Sequence, residues 1–234
     1  MNSLKAHLTS ICQPYGGVYS GTGVYGGEYF YPDSAGVGFH TITYTYTAPE
    51  TGCTNTLDFV IQVNPLPQID CPPYMEACEG DLPVLLNSSY PLGGVYAGTG
   101  VSYDGSNYLF DPSIGAGTYI INYYFTDPDT GCENSCEFNF YVYAKPDVSC
   151  PGDFTICYDT SPFALSGGLP LGGTYSGTGV SGGMFYPATA GTGSHIITYT
   201  YVDPQTFCEN FCTFTITVIL VEASCPDDIE MCID

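Results

Sequence analysis

The chain has 234 residues, among them 12 cysteines, 29 glycines and 18 prolines, and its 24 acidic side chains face only Lys5 and Lys145, leaving a formal charge of −22. That balance argues against a nucleic-acid partner, whose backbone calls for a positive surface, and against docking on anionic lipid. An apolar fraction of 44% makes it a folding chain rather than an acidic disordered tail, and so many cysteines point to an oxidising compartment, the extracellular space or cell surface. In chain order, residues 1–9 hold one lysine and no apolar core, so they read as no export signal. No apolar run approaches membrane-spanning length, so no direct membrane insertion is expected. Matching to the repeat described next begins at Pro14, and the residues before it fit no pattern.

Self-similarity organises the rest. Gly16-Gly17-Val18-Tyr19-Ser20-Gly21-Thr22-Gly23-Val24 returns at 93–101 with Ala97 for the serine, and at 172–180 with Thr174 for the first valine. The offsets are 77 and 79 residues. Behind each copy come a proline (Pro32, Pro112, Pro187), a Gly-x-Gly turn, a Thr/Ile/Tyr run, a cysteine-bearing loop and an alternating apolar strand. A Cys-Pro pair then opens the next copy. The period is two: His40, Ile42, Tyr44 and Tyr46 share one face and Thr41, Thr43 and Thr45 the other, repeated by His195, Ile197, Tyr199 and Tyr201. Cys136, Phe138, Phe140 and Val142 alternate in the same way, as do Cys212, Phe214, Ile216 and Val218. Such rhythms predict half-buried strands, and no stretch reads as a helix.

In the second copy strands are expected at about 73–78, 83–88, 93–98, 107–111, 118–126 and 136–144, with a short edge strand near Val101. Six or seven strands in under 80 residues predict an all-β chain of tandem immunoglobulin-like β-sandwich repeats in an elongated array; a propeller blade has four strands in about 40–45 residues. The boundaries read as an incomplete first repeat over 1–64 that lacks its Cys-Pro strand, a second over 71–143 and a third over 150–221. Residues 225–234 repeat the Cys-Pro strand alone. They are either the first strand of a fourth repeat, the sequence being a piece of a longer protein, or a donor strand that completes the first repeat of another chain.

The full repeat carries Cys71, Cys78, Cys132 and Cys136, matched by Cys150, Cys157, Cys208 and Cys212. Cys71 shares parity with Met75 and Ala77, and Cys150 with Phe154 and Ile156, which are core-facing positions. Cys136 and Cys212 are in register with inward phenylalanines. First and last strands of such a sandwich start at the same pole, so Cys71–Cys136 and Cys150–Cys212 are the expected bonds, each worth about 4 kcal/mol by loop closure. Cys78 and Cys157 sit seven residues further on, with opposite parity, about 20 Å from that pole in a flat strand. Either the strand kinks and Cys78 meets Cys132, or Cys78 reaches forward to Cys208 of the next repeat. Cys12, Cys53, Cys225 and Cys232 stay unassigned. In a donor-strand assembly they would make up the four of one complete repeat, although Leu57 stands where the others have Cys136 and Cys212.

Candidate chemistry is sparse. His40 and His195 are replaced by Tyr119 in the second copy, as packing residues would be, and no serine, cysteine or carboxylate recurs beside a histidine as a nucleophile–base pair does. No enzyme activity and no cofactor are expected. Asp127, Asp129 and Glu133 around Cys132 are calcium candidates, alone or with Asp104 or Asp111, since calcium takes oxygen ligands. Their counterparts are not uniformly acidic, and solvated turns explain them as well. Threonine rows (Thr43, Thr45; Thr198, Thr200; Thr213, Thr215, Thr217) suit a flat carbohydrate-binding face, and equally an ordinary exposed strand. Asn87-Ser88-Ser89 is formally a glycosylation acceptor.

The stretch 172–180, followed by Phe185-Tyr186-Pro187, Gly191-Thr192-Gly193 and Ile197-Thr198-Tyr199-Thr200-Tyr201, resembles the immunoglobulin-like repeats of very large surface and secreted proteins of Bacteroidota. Cys150-Pro151 with residues 212–218 is similar to the hyalin-repeat class of such domains. The resemblance covers about Pro14 onward. It implies a non-enzymatic spacer or adhesive module, with neighbouring repeats and surface glycans or proteins as partners. The competing readings are a carbohydrate- or protein-binding module and a donor-strand-linked subunit of an extracellular filament.

Overall fold

A computed structural model of the chain describes residues 5–224. The first repeat runs β1 (Ala6–His7), β2 (Val18–Ser20), β3 (Val24–Tyr25), β4 (Tyr29–Phe30), a short helix α1 (Pro32–Ala35), β5 (Gly38–Thr47) and β6 (Thr54–Val63). The second comprises β7 (Tyr74–Cys78), β8 (Val84–Leu85), β9 (Val95–Ala97), β10 (Val101–Tyr103), β11 (Tyr108–Phe110), a 3₁₀ turn at Pro112–Ile114, β12 (Gly117–Thr126) and β13 (Glu133–Tyr143). The third comprises β14 (Phe154–Cys157), β15 (Phe163–Ala164), β16 (Thr174–Gly177), β17 (Val180–Ser181), β18 (Met184–Phe185), α2 (Pro187–Ala190), β19 (Gly193–Val202) and β20 (Glu209–Ile219).

The chain is therefore all-β, each repeat pairing two sheets in the immunoglobulin-like manner. In the second repeat the sheet β7-β13-β12-β9 faces β10-β11-β8, and in the third β14-β20-β19-β16 faces β15-β18-β17. The first strand of each lies parallel to the last, Phe154 beside Ile216 and Ile156 beside Val218 in the third repeat. Alternation decides which side is buried: Phe214, Ile216 and Val218 are buried while Thr213, Thr215 and Thr217 between them are not. By contacts the chain forms two compact units, Met1–Cys71 with Asn87–Tyr96 and Asn122–Glu137, and Pro72–Leu86 with Ala97–Ile121 and Phe138–Asp234.

Two sequence expectations need correction. Residues before Pro14 do belong to the first repeat: β1 pairs with β4 as β8 pairs with β11 and β15 with β18. Leu8 fills the core position of Leu86 and Leu165, its N–H bonded to Glu28 as theirs are to Tyr108 and Gly183. One extra residue between Leu8 and the Gly-Gly turn hid the match. Helices also exist, as single turns at the proline corners, where Pro32 and Pro187 occupy first-turn positions that need no N–H. The half-buried His40 and His195 close these corners by donating from Nε2 to Gly36 O and Gly191 O (2.8 and 2.9 Å), and Tyr119 does the same with its hydroxyl to Gly115 O at 2.8 Å. That shared bond is why the two residue types interchange.

A second device recurs three times. The Tyr44, Tyr123 and Tyr199 hydroxyls accept from Gly17, Gly94 and Gly173 N–H (2.8, 2.9 and 2.8 Å) and donate to the carbonyls of Pro14, Pro91 and Pro170. Those prolines follow cis peptide bonds. A partner ring packs against each at 4.6–4.7 Å (Tyr19, Tyr96, Tyr175), its hydroxyl accepting from Cys12, Ser89 or Gly168 N–H. The Gly-Gly-x-Tyr motif is thus a clamp: glycine lets the backbone lie against a tyrosine ring, and the tyrosines satisfy buried backbone groups that no ladder reaches.

Candidate functional site

The disulfides form the densest concentration of chemistry. Cys71 is bonded to Cys136 and Cys150 to Cys212, with Cα separations of 6.2 and 5.8 Å, joining the start of each repeat's first strand to its last strand. Cys78 is bonded to Cys208, with Cα atoms 5.6 Å apart. The end of the second repeat's first strand is therefore tied to the loop before β20 of the third. Cys132 is not Cys78's partner; the strand runs straight along β13 from Tyr74 to Cys78 and delivers Cys78 to the far pole. Among the described residues Cys12, Cys53, Cys132 and Cys157 are free thiols, Cys12 buried, Cys132 half-buried, and Cys53 and Cys157 exposed. Cys225 and Cys232 lie outside the described residues.

An asparagine reinforces the same junctions. Asn134 donates from Nδ2 to Pro67 O and Asn210 to Pro146 O, both at 2.9 Å, holding each linker against the last strand. Their Oδ1 atoms accept the N–H of the next residue, as does Asn55 in the first repeat. Sequence reasoning passed over this asparagine, although its recurrence at 55, 134 and 210, always two residues after a loop cysteine, was the available signal.

The calcium candidates are not gathered. Asp127 Oδ1 accepts from the N–H groups of Asp129 and Thr130 (2.8 and 3.1 Å), and Glu133 Oε1 accepts from Thr126 Oγ1 at 3.4 Å. Among the described residues no group of three or more His, Cys, Asp or Glu side chains is placed to hold a metal ion. Asp203 caps its loop through Gln205 and Thr206, and Asp104 caps the β10–β11 hairpin through Ser106 and Asn107. Asp111 accepts from Ser113 N at 2.9 Å. Backbone N–H bonds to the charged form hold all four carboxyls below the ordinary aspartate range. The carboxylates serve their own turns, which is the physical reason that they do not converge on a cation.

Two outer faces remain as binding candidates. In the third repeat the register aligns Ser176, Thr198 and Thr213 across one row of the sheet. In the second, Tyr141 and Tyr143 stack along β13 with centroids 6.4 Å apart, Tyr74 of β7 meets Tyr141 edge-on at 5.8 Å, and Tyr143 donates to Glu76 at 3.2 Å. Burial raises the Tyr143 phenol above its usual range, with Glu76 adding to the shift. The other repeats carry no such tyrosines at these positions. Asn87 is exposed whereas Ser89 is buried.

No family model matches the sequence, and no curated protein matches it. Among solved structures the chain is similar to a tri-modular GH5 (subfamily 4) endo-β-1,4-glucanase from Bacillus licheniformis, at 13% identity over 66% of this chain and 39% of that one, with a TM-score of 0.23. It is similar to the four N-terminal Ig domains of Dscam1 isoform 6.9, at 12% identity over 83% and 57% of the chains and a TM-score of 0.23. It also resembles the zebrafish RET cadherin-like domains 1 to 4, at 10% identity over 91% and 67% and a TM-score of 0.23. The chain spans well under two thirds of the glucanase and of the Dscam1 fragment.

Proposed function

We propose that this chain is a non-enzymatic structural spacer of a large extracellular or cell-surface repeat protein, of the immunoglobulin-like, hyalin-repeat-like type that its motifs resemble. The observation that carries the reading is the Cys78–Cys208 bond, which links consecutive repeats where a catalytic or simple binding domain needs no tether. Around it, the recurring groups are spent on corners, clamps and linkers. A net charge of −22 with almost no basic side chains keeps such an array soluble and repels like chains.

From Cys71 to Cys212 the shortest covalent path runs through Cys78–Cys208, so tension along the chain bypasses nearly all of both repeats. Pulled through its ends, the oxidised chain should give no unfolding step from the second or third repeat. After reduction it should release about 430–470 Å of contour, the 130-residue separation of Cys78 and Cys208 at about 3.3–3.6 Å per residue. Unfolding steps of that size in the oxidised chain would defeat the spacer reading. The tyrosine row of Tyr74, Tyr141 and Tyr143 favours a second reading, a glycan-binding face on the second repeat, because sugar rings pack on aromatic faces. Saturable binding on a glycan array, lost on Tyr141→Ala, would establish it.

A further inference from the structure

The outer face of the second repeat ends where the third repeat is tied on. Along β7, Tyr74, Glu76 and Cys78 share parity, and by register they lie beside Asn139, Tyr141 and Tyr143 of β13. Those three alternate with the buried Phe140 and Val142, so all six side chains leave the sheet on the side away from the core. Cys78 is the last of them. Its bond to Cys208 therefore departs on the tyrosine side and brings the 203–208 loop of the third repeat to the end of the row. All of these residues belong to one of the two compact units.

One residue of that loop breaks the repeat. All three repeats close the loop with the same turn, in which the N–H of Gly52, Gly131 or Phe207 bonds the carbonyl of Ala48, Asp127 or Asp203 at 2.8 Å. The turn needs a left-handed backbone there, with φ of 70° at Gly52 and Gly131 and 59° at Phe207. Glycine adopts that conformation freely, whereas a bulky side chain is rare in it because its Cβ crowds the backbone. Phe207 is the only non-glycine residue with a positive φ among the described residues. Its ring gains no burial in return, being 76% exposed. The loop beneath it is firmly held, by Asp203 Oδ1 accepting from Gln205 and Thr206 N–H (2.8 and 3.0 Å) and by Cys208. Backbone strain kept for a ring that faces solvent points to a contact outside the chain.

The row says what kind of ligand fits. Its ring surfaces alternate with fixed polar groups: Tyr143 donates to Glu76 Oε2 at 3.2 Å, and the Tyr141 hydroxyl accepts from Asn139 Nδ2 at 3.4 Å. Apolar faces rimmed by hydrogen-bonding groups match pyranose rings, which are built the same way. A peptide strand would instead seek unpaired main chain at a sheet edge, and this surface is a face. An anionic polymer is repelled by a chain of charge −22, and a cationic one would have to take Glu76 from Tyr143. We propose that a neutral, linear polysaccharide lies along the outer face of β7 and β13 and crosses onto the 203–208 loop, where Phe207 packs on a further sugar ring. The inference rests on the glycan-face reading and goes beyond it, since that reading needs the second repeat alone. The Cys78–Cys208 bond then holds two parts of one site together as well as joining the repeats.

The test titrates the full, oxidised chain against immobilised neutral polysaccharides (a β-glucan, a xylan, a mannan and a galactan), with alginate and polylysine beside them. Saturable binding to at least one neutral polymer is expected, lost on Tyr141→Ala. Phe207→Gly should weaken it about three- to tenfold, the share of one ring contact, while raising the thermal midpoint because glycine relieves the strain. Cys78→Ala combined with Cys208→Ala should weaken it to the same degree, with Cys71–Cys136 and Cys150–Cys212 mapped as proof of folding. Binding that Tyr141→Ala abolishes but Phe207→Gly leaves unchanged confines the ligand to the second repeat; it overturns this inference and leaves the glycan face standing. A lowered midpoint for Phe207→Gly makes Phe207 a packing residue and overturns the inference as well. No binding to any neutral polymer, or a preference for polylysine, overturns both.

Discussion

Replacing Cys150 and Cys212 together by alanine should destabilise the third repeat by about 4 kcal/mol, the loop-closure value for a bond spanning 62 residues. A domain of this size has about 5–10 kcal/mol of net stability, so the loss is about two to four fifths of it. The midpoint of thermal unfolding should fall by about 16–32 °C, at about 4–8 °C per kcal/mol. The mechanism is local as well as entropic. Cys150 packs on the cluster of Leu165, Phe185, Ile197, Phe214, Ile216 and Val218, and its bond fastens the parallel edge strand β14 to β20. Calorimetry of the double variant with Cys78–Cys208 left in place reads the effect. A shift below about 5 °C would mean that β14 is held by packing alone.

Gly173→Ala should be nearly as damaging, although it adds one methyl group. A Cβ there would lie 2.4 Å from Thr200 O and 2.5 Å from the Tyr199 ring, and neither can yield without breaking the clamp. Moving Tyr199 strands the Gly173 N–H and the Pro170 carbonyl, each about 1–3 kcal/mol when left unpaired. A cost of about 3–5 kcal/mol follows, read from the denaturant midpoint of the third repeat. Gly152 is the control, because a Cβ there meets nothing within 4 Å and its φ is not positive. Gly152→Ala should stay within about 0.5 kcal/mol of the parent chain.

These two positions also show what the sequence makes legible. Alternation at 195–201 and 212–218 announces strands because one side of a sheet must be apolar, and β19 and β20 run where that rhythm runs. Parity places Cys150 and Cys212 on inward positions of adjoining strands. Parity cannot decide the partner of Cys78, because a strand-end cysteine meets whatever the next repeat brings to that pole, and no pattern internal to one repeat encodes it. The clamp was visible as a recurring Gly-Gly-x-Tyr but not interpretable, since the tyrosines that bond its second glycine, Tyr44, Tyr123 and Tyr199, lie 26–29 residues further on. The histidine–tyrosine exchange was legible as packing, whereas its shared bond to a glycine carbonyl was not. Leu8 escaped notice because a single extra residue shifted it out of register, and the acidic loop suggested a cation because charge counts do not reveal which N–H groups a carboxylate already holds.

Peptide mapping under non-reducing conditions tests the central claim, that consecutive repeats are covalently joined, most directly. Pepsin suits a chain with only two basic residues and keeps thiol exchange quenched at low pH. The structure predicts one cross-linked pair carrying Cys78 and Cys208, alongside Cys71–Cys136 and Cys150–Cys212. A peptide joining Cys78 to Cys132 instead would close every bond within its own repeat and contradict the account.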